Sequence, residues 1–279
     1  MEEPMSAPLT RPIRMVVKQV GPVRLHTFIS SFADDNIANA THIIESDRSL
    51  VLVDGQFLVP YATQYRSYAD SLGKPIERVY LSHRHPDHWF GLGAAFSDTD
   101  IYALPETIAF LKEHGADSRD DHWKMGELAP DKIVVPQGVV APGEETIDGV
   151  TYVFDKVTDT EIDFLLTIRL PELGVHIVQD LIYSGTHLYL TQDMGHWIEV
   201  LEEMLVSEDD LFLPGHGLPA GKNEVARNVE YLSAARQAVG NGLTGDAFKT
   251  LMLQRYPDRK CPGIFDIYLP RLFGGAREF

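Results

Sequence analysis

Residues 82–88 read Ser-His-Arg-His-Pro-Asp-His, and four residues of metal-binding types fall within six positions: His83, His85, Asp87 and His88. Imidazole and carboxylate together suit zinc, iron or manganese, because they are borderline to hard donors. On an extended segment the side chains of 83, 85 and 87 point to one side and that of 88 points away, so the backbone must turn to use all four. The stretch predicts a metal site for one or two ions; the alternative is a solvated loop rich in histidine.

The pattern upstream of this stretch is mostly β-type. The apolar run at 76–81 predicts a strand that ends at the histidines. Before it, the alternation of apolar residues predicts a strand pair within 13–28, a hairpin of 39–45 with 50–53, and a helix over 60–72. The histidines are therefore expected at the C-terminal end of a strand.

Strands and helices are interleaved in the remainder of the chain. Strands are predicted at 100–103, 132–135, 149–154, 164–170, 175–179 and 211–213, and helices at 91–96, 105–114, 197–205, 223–239 and 244–255. We find no internal repeat or low-complexity linker. The sequence predicts one domain over 1–279, with C-terminal helices within 222–256 and a Pro-containing tail at 257–279 packed on it.

Composition excludes several classes of partner. The 279 residues contain 24 Lys and Arg against 41 Asp and Glu, which gives a net charge of −17. Such a charge repels nucleic acids and anionic membrane surfaces, so we expect a small-molecule substrate instead. The start of the chain has no apolar signal segment and the single Cys261 cannot form an internal disulfide, which favours the cytoplasm. The sequence does not indicate an oligomeric state.

The pattern His83-x-His85-x-Asp87-His88 after a strand resembles the signature of the metallo-β-lactamase superfamily. The resemblance extends over about 39–217 and implies an α+β fold, a four-layer αββα sandwich. Two further ligands follow from it: Asp180 matches the aspartate that bridges two metal ions, and His216 matches the last histidine.

The sequence departs from this family at one ligand. Relatives carry a middle histidine at the start of an eleven-residue stretch that ends in Leu-Pro, and counting back from Pro171 places Glu161 there. A carboxylate can bind zinc but favours harder ions such as manganese or iron. We predict that Glu161 is a ligand, with Asp159 and Asp163 as substitutes. The alternative is that Glu161 binds no metal and the site has lost affinity.

The resemblance implies two half-sites that share the bridging Asp180. The members of the first half-site are Asp87, His88 and His216, and those of the second are His83, His85 and Glu161. It implies zinc as the cofactor, in two ions, with iron or manganese as alternatives. Asp54 matches an aspartate that orients the metal-binding histidines.

The function implied by the resemblance is hydrolysis of an ester, lactone, thioester or amide by a metal-activated water. Asp87 would also transfer a proton, and Tyr183 would donate a hydrogen bond to the substrate carbonyl. No cysteine lies near the ligands, so the chain is more similar to glyoxalase II and lactonase members than to true β-lactamases. The alternatives are an iron-dependent redox enzyme and a degenerate metal-binding member. The histidines His26, His42, His114, His122 and His176 have no partner spacing and are assigned no role.

Overall fold

Two mixed β-sheets organise the chain, and the computed structural model describes residues 13–30, 37–192 and 194–274. The first sheet has seven strands in the order β1-β2-β3-β4-β5-β6-β7. Strands β1 to β4 are antiparallel neighbours, and β4 to β7 run parallel. Their bounds are β1 Arg14–Val20, β2 Val23–Ile29, β3 Ala40–Glu45, β4 Leu50–Val53, β5 Ile76–Leu81, β6 Ile101–Ala103 and β7 Gly138–Val139.

The second sheet has five strands in the order β12-β11-β10-β9-β8. Strands β8 to β11 are antiparallel neighbours, and β12 pairs parallel with β11. Their bounds are β8 Gly143–Ile147, β9 Val150–Thr158, β10 Phe164–Leu170, β11 Val175–Ser184 and β12 Leu211–Gly217.

Helices cover the outer faces of both sheets. Helices α1 to α3 lie on the first sheet and α4 to α7 on the second. Their bounds are α1 Val59–Ser71, α2 Pro86–Ala95, α3 Pro105–Asp121, α4 Met194–Val206, α5 Lys222–Gly240, α6 Gly245–Arg255 and α7 Ile264–Gly274. No helix of the described residues is long and apolar enough to cross a membrane.

The alternation of side chains along β4 shows how the layers form. Leu50 and Leu52 pack under α1, whereas Val51 and Val53 face the second sheet. Successive residues of a strand point to opposite faces, so a strand buried on both faces is apolar at every position. The order of layers is helices, sheet, sheet, helices. The predicted αββα sandwich is confirmed.

Some elements of the structure differ from the predicted ones. No strand forms at 132–135; the short β7 pairs with β6 instead. Strand β8 was missed because most of its residues are exposed and polar, which hides the apolar alternation of an edge strand. The predicted tail contains α7, which was missed because Pro270 lies inside that helix.

Candidate metal centre

The motif of the sequence lies where β5 passes into α2. Helix α2 begins at Pro86, five residues earlier than predicted, and His85 is its N-cap residue. Proline is well suited to the first helical position because that position needs no N–H donor. The first turn of the helix contains Asp87 and His88, and the ring centroids of His83 and His88 are 4.2 Å apart. The helical turn therefore brings His88 beside His83, whereas in an extended chain the side chain of His88 would point away.

Three other segments bring the remaining predicted residues to this point. Glu161 lies in the loop between β9 and β10, and its side chain is fully buried. Asp180 and His216 were expected to follow their strands, but they lie within β11 and β12. The pairing of these strands shifts register at Gln179, whose φ is +44°. This register shift is a β-bulge, which changes the local direction of the strand next to Asp180.

The first cluster consists of His83, His85, Glu161 and Asp180, whose nearest ligand atoms all lie within 4.8 Å of one another. His85 Nδ1 is 3.2 Å from Glu161 Oε1 and 3.1 Å from His83 Nε2. The substitutes Asp159 and Asp163 are exposed, and Asp163 pairs with Arg84 at 3.2 Å. The structure thus turns Glu161 inward, to the place where the family pattern has a histidine.

The second cluster consists of Asp87, His88 and His216, which also offer ligand atoms within 4.8 Å of one another. Asp87 Oδ2 is 3.5 Å from His88 Nε2 and 3.4 Å from His216 Nε2. Both histidines are buried, and the Asp87 side chain is 16% exposed. All seven residues predicted as metal ligands therefore converge in one place.

The Asp180 carboxylate lies between the two clusters. Its Oδ1 is 3.2 Å from His88 Nε2, and its Oδ2 is 3.2 Å from His216 Nε2 and 3.6 Å from His83 Nε2. Each cluster then contributes two imidazoles and one carboxylate besides Asp180. The two half-sites have the same donor chemistry.

The contacts of His88 show that this pocket favours a positive charge. Nδ1 of His88 donates to the Asp54 carboxylate at 2.7 Å, while its Nε2 and the facing Asp180 Oδ1 are buried and make no hydrogen bond. Buried polar atoms left without partners are costly. Burial lowers the pKa of His88, but the charges of Asp180, Asp87 and Asp54 outweigh it and raise that pKa well above its usual value. A divalent cation fits this donor set.

Gly215 leaves room for the Asp180 carboxylate. A Cβ atom at this position would lie 2.0 Å from Asp180 Oδ1 and 3.0 Å from His88 Cε1. Any larger residue would displace one of these two side chains. The close approach of these two side chains therefore requires a glycine directly before His216.

Asp54 orients the histidines of the two clusters through hydrogen bonds, as predicted. Its Oδ1 accepts from the Ser82 N–H at 2.7 Å, and its Oδ2 accepts from Ser82 Oγ at 2.7 Å, from His88 Nδ1 and from Gln179 Nε2. Ser82 Oγ in turn accepts from His83 Nδ1 at 2.8 Å. These bonds fix the ring orientations, so Nε2 of both His83 and His88 faces the clusters.

Two supporting residues were missed by the sequence analysis. Asn39 Nδ2 donates to the carboxylate and the backbone oxygen of Asp87, at 3.3 and 3.2 Å. His42 Nε2 donates to Pro214 O at 2.9 Å, and burial lowers the pKa of His42 to about 4, so it is neutral at physiological pH. Neither residue has a local spacing that relates it to a ligand. His42 lies in β3 and Asn39 directly precedes it, and the pairing of this segment with neighbouring strands brings both to the site.

Tyr183 packs against both clusters. Its hydroxyl lies 3.2 Å from Asp180 Oδ2 and 3.3 Å from Glu161 Oε1, and its ring stacks on His216 with a centroid distance of 4.8 Å. Burial raises the pKa of Tyr183 well above its ordinary value. The hydroxyl is therefore protonated and donates toward these carboxylates.

Solvent reaches the site from the side of His85 and Asp87. Their side chains are 18% and 16% exposed, whereas those of the other five residues are at most 3% exposed. The His85 ring packs on Tyr189 with a centroid distance of 5.4 Å. A substrate would approach from this side.

Comparisons of sequence give a distant relative. No family model matches the chain. Alkyl/aryl-sulfatase BDS1 of Saccharomyces cerevisiae is 22% identical over 228 residues, which cover 66% of this chain and 35% of the relative. The chain thus spans about a third of the length of that curated relative.

Comparisons of structure give metallo-β-lactamases. The enzyme from Pontibacter korlensis superposes with a TM-score of 0.64 at 13% identity, over 79% of this chain and 99% of its own. The mono-zinc form of FIM-1 from Pseudomonas aeruginosa superposes with a TM-score of 0.63 at 17% identity, over 82% of this chain and 99% of its own. The enzyme from Hirschia baltica superposes with a TM-score of 0.61 at 20% identity, over 80% of this chain and 98% of its own. The chain has the metallo-β-lactamase fold.

Proposed function

We propose that this protein is a metal-dependent hydrolase that cleaves a small-molecule carbonyl substrate. The observation that carries the proposal is the position of Asp180 between two clusters, each with two further imidazoles and one further carboxylate. Shared carboxylates are a means of holding two metal ions side by side for hydrolysis. We propose two ions, with zinc as the first candidate.

The residues that would hold the ions are those of the two half-sites: His83, His85 and Glu161; Asp87, His88 and His216; and Asp180 for both. A divalent ion supplies Lewis-acid chemistry, because it lowers the pKa of a water that it binds and polarises the substrate oxygen. Each half-site has one carboxylate of its own, and the Asp180 carboxylate lies between them. These negative charges favour the binding of divalent cations.

Asp87 is proposed to move a proton. Its carboxylate is the partly exposed one, on the side where a substrate would enter. Asn39 Nδ2 donates to Oδ2 of that carboxylate at 3.3 Å and fixes its orientation. We propose that Asp87 accepts a proton from the attacking water and delivers it to the leaving group.

Tyr183 is proposed to donate to the substrate carbonyl oxygen. Its contacts of 3.2 and 3.3 Å with the two carboxylates are longer than a good O–H···O bond, so a developing oxyanion can compete for the proton. Tyr183→Phe is expected to lower kcat about tenfold, the effect of one lost hydrogen bond. Metal content should stay unchanged, as measured by elemental analysis of the same samples.

The matched control for this variant is Tyr152→Phe. The Tyr152 hydroxyl is also buried, lies between the sheets and makes no hydrogen bond. Its removal should leave kcat unchanged. If Tyr183→Phe binds less metal but keeps the same kcat per bound ion, the proposal is wrong: Tyr183 then stabilises the metal-binding carboxylates and does not contact the substrate.

The candidate substrates are lactones, thioesters, esters and amides. A second candidate is a sulfate ester, because the distant relative is named an alkyl/aryl-sulfatase. The test is a panel of these five classes, assayed with the protein loaded with zinc, manganese or iron and again after chelation. We expect hydrolysis of at least one class that chelation removes and added metal restores. Metal-loaded protein that hydrolyses none of them would contradict the proposal, and turnover that requires an electron donor would favour the redox alternative.

Glu161→His should shift metal preference toward zinc. The change replaces a hard carboxylate oxygen by imidazole nitrogen, so the ratio of zinc to manganese bound from an equimolar mixture should rise severalfold. Elemental analysis after removal of free metal measures this ratio.

Asp163→His provides the control, because it adds an imidazole to the same loop at an exposed position. It should leave the ratio unchanged. Glu161→Ala should retain one ion per chain. If it retains two, Glu161 does not bind metal.

A further inference from the structure

The C-terminal helix α7 reaches the open side of the metal centre through Tyr189. The Tyr189 ring packs on His85, with a centroid distance of 5.4 Å, and on Tyr268 of α7, at 5.7 Å. Nη1 of Arg271, also on α7, donates to the Tyr189 hydroxyl at 2.6 Å. One side chain therefore separates the Arg271 guanidinium from His85, one of the two partly exposed members of the centre.

Arg271 carries a charge that no carboxylate of the described chain compensates. No Asp or Glu oxygen in these residues lies within 4.0 Å of its guanidinium, although the protein has 41 acidic residues. Several other arginines do have a carboxylate partner: Arg66 pairs with Asp98 and Arg78 with Glu145. Arg271 is instead held by a neutral hydroxyl, which fixes its position without neutralising it.

Most of the hydrogen-bond donors of Arg271 have no partner among the described residues. A guanidinium has five N–H donors, and one of them bonds to Tyr189. The side chain is partly exposed, so the other donors can meet a ligand. A planar fork of N–H groups matches the oxygens of a carboxylate or similar oxyanion.

We propose that Arg271 binds an anionic group of the substrate, a carboxylate or another oxyanion several bonds away from the bond that is cleaved. This inference rests on the proposed function for the position of the reacting bond. The net charge of −17 repels anions, so a substrate with a remote negative charge needs a local cation at the entrance. Arg271 supplies this cation, and Tyr189 sets its distance from the centre.

The test uses dicarboxylates as probes, because one carboxylate can bind the metal centre while the other reaches Arg271. Succinate, glutarate and adipate are titrated calorimetrically into metal-loaded protein, with butyrate as the probe that lacks the second charge. We expect one dicarboxylate to bind more tightly than butyrate. Arg271→Met should weaken that dicarboxylate about tenfold or more and leave butyrate unchanged, since a charge-assisted bond is lost.

Two further variants separate the local effect from general ones. Arg271→Lys keeps the charge but loses the fork, so it should retain part of the affinity. Arg255→Met removes the same charge from an exposed position at the end of α6 and should change nothing. Unchanged binding of butyrate in Arg271→Met shows that the centre is intact. Equal dicarboxylate affinity in the parent and in Arg271→Met would overturn the proposal.

A kinetic experiment distinguishes this inference from the proposed function. The 4-nitrophenyl monoester of glutarate and 4-nitrophenyl butyrate differ in the remote carboxylate. Arg271→Met should raise KM for the first ester and leave kcat/KM for the second unchanged. If neither ester is hydrolysed but the calorimetric difference is found, ester hydrolysis is wrong and the anion site stands. If both are hydrolysed and Arg271→Met affects them equally, the anion site is wrong.

Discussion

Asp180→Asn is expected to remove both metal ions and to lower hydrolysis by more than about 100-fold, because even residues that only orient ligands cost 10–100-fold. The physical reason is that one carboxylate faces both clusters, with Oδ1 at 3.2 Å from His88 and Oδ2 at 3.2 Å from His216. An amide has one neutral oxygen and one NH₂ group. The NH₂ group would face an imidazole nitrogen and could bind no cation. Elemental analysis and the rate on the best substrate measure the effect.

Asp163→Asn is the control for this variant. Its side chain is 64% exposed and pairs with Arg84 on the surface, so the same chemical change should leave metal content and rate unaltered. Full metal content and turnover in Asp180→Asn would show that Asp180 does not join the two half-sites.

Asp54→Asn is expected to lower metal affinity 10–100-fold without removing any ligand. Both oxygens of Asp54 accept hydrogen bonds, from the Ser82 backbone, Ser82 Oγ, His88 Nδ1 and Gln179 Nε2. In either orientation, an asparagine would place its NH₂ group against one of these donors. His88 and, through Ser82, His83 would then lose their fixed orientation. Calorimetric titration of metal into the apoprotein measures the loss.

The control for Asp54→Asn is Asp70→Asn. Asp70 lies at the end of α1, is 56% exposed and contacts Arg66. This variant should bind metal like the parent. If Asp54→Asn also binds metal like the parent, the hydrogen bonds of Asp54 serve only the stability of the fold.

The candidate ligands of the motif could be predicted because their spacing is local. His83, His85, Asp87 and His88 follow a buried strand, and the sequence itself indicates both their chemistry and their position. Glu161 required a count along the family pattern, and it was predictable because no insertion separates it from Pro171. The structure places this residue in the first cluster.

Two supporting residues, Asn39 and His42, could not be predicted, because their partners are distant in sequence and the family pattern does not indicate them. Asn39 contacts Asp87 across 48 positions, and His42 contacts Pro214 across 172. Both contacts depend on how β3 lies beside other strands, which no local pattern specifies. Arg271 belongs to the same group: it contacts Tyr189 across 82 positions, from a helix that its internal proline concealed.

The register shift in β11 was also outside the reach of sequence patterns. The sequence predicts a strand at 175–179 that ends before the charged Asp180. In the structure the strand continues to Ser184, since Gln179 and Asp180 find partners in the site. A polar interruption in a buried strand here marks the functional position.

The most direct test of the account is the number of metal ions bound per chain, measured by native mass spectrometry with the untagged protein and saturating zinc, manganese or iron. The two clusters, with equal donor chemistry and a shared Asp180, predict two ions in the parent, one in Glu161→Ala and none in Asp180→Asn. A parent protein that binds a single ion with every metal, and whose count does not change in Glu161→Ala, would contradict the dinuclear centre.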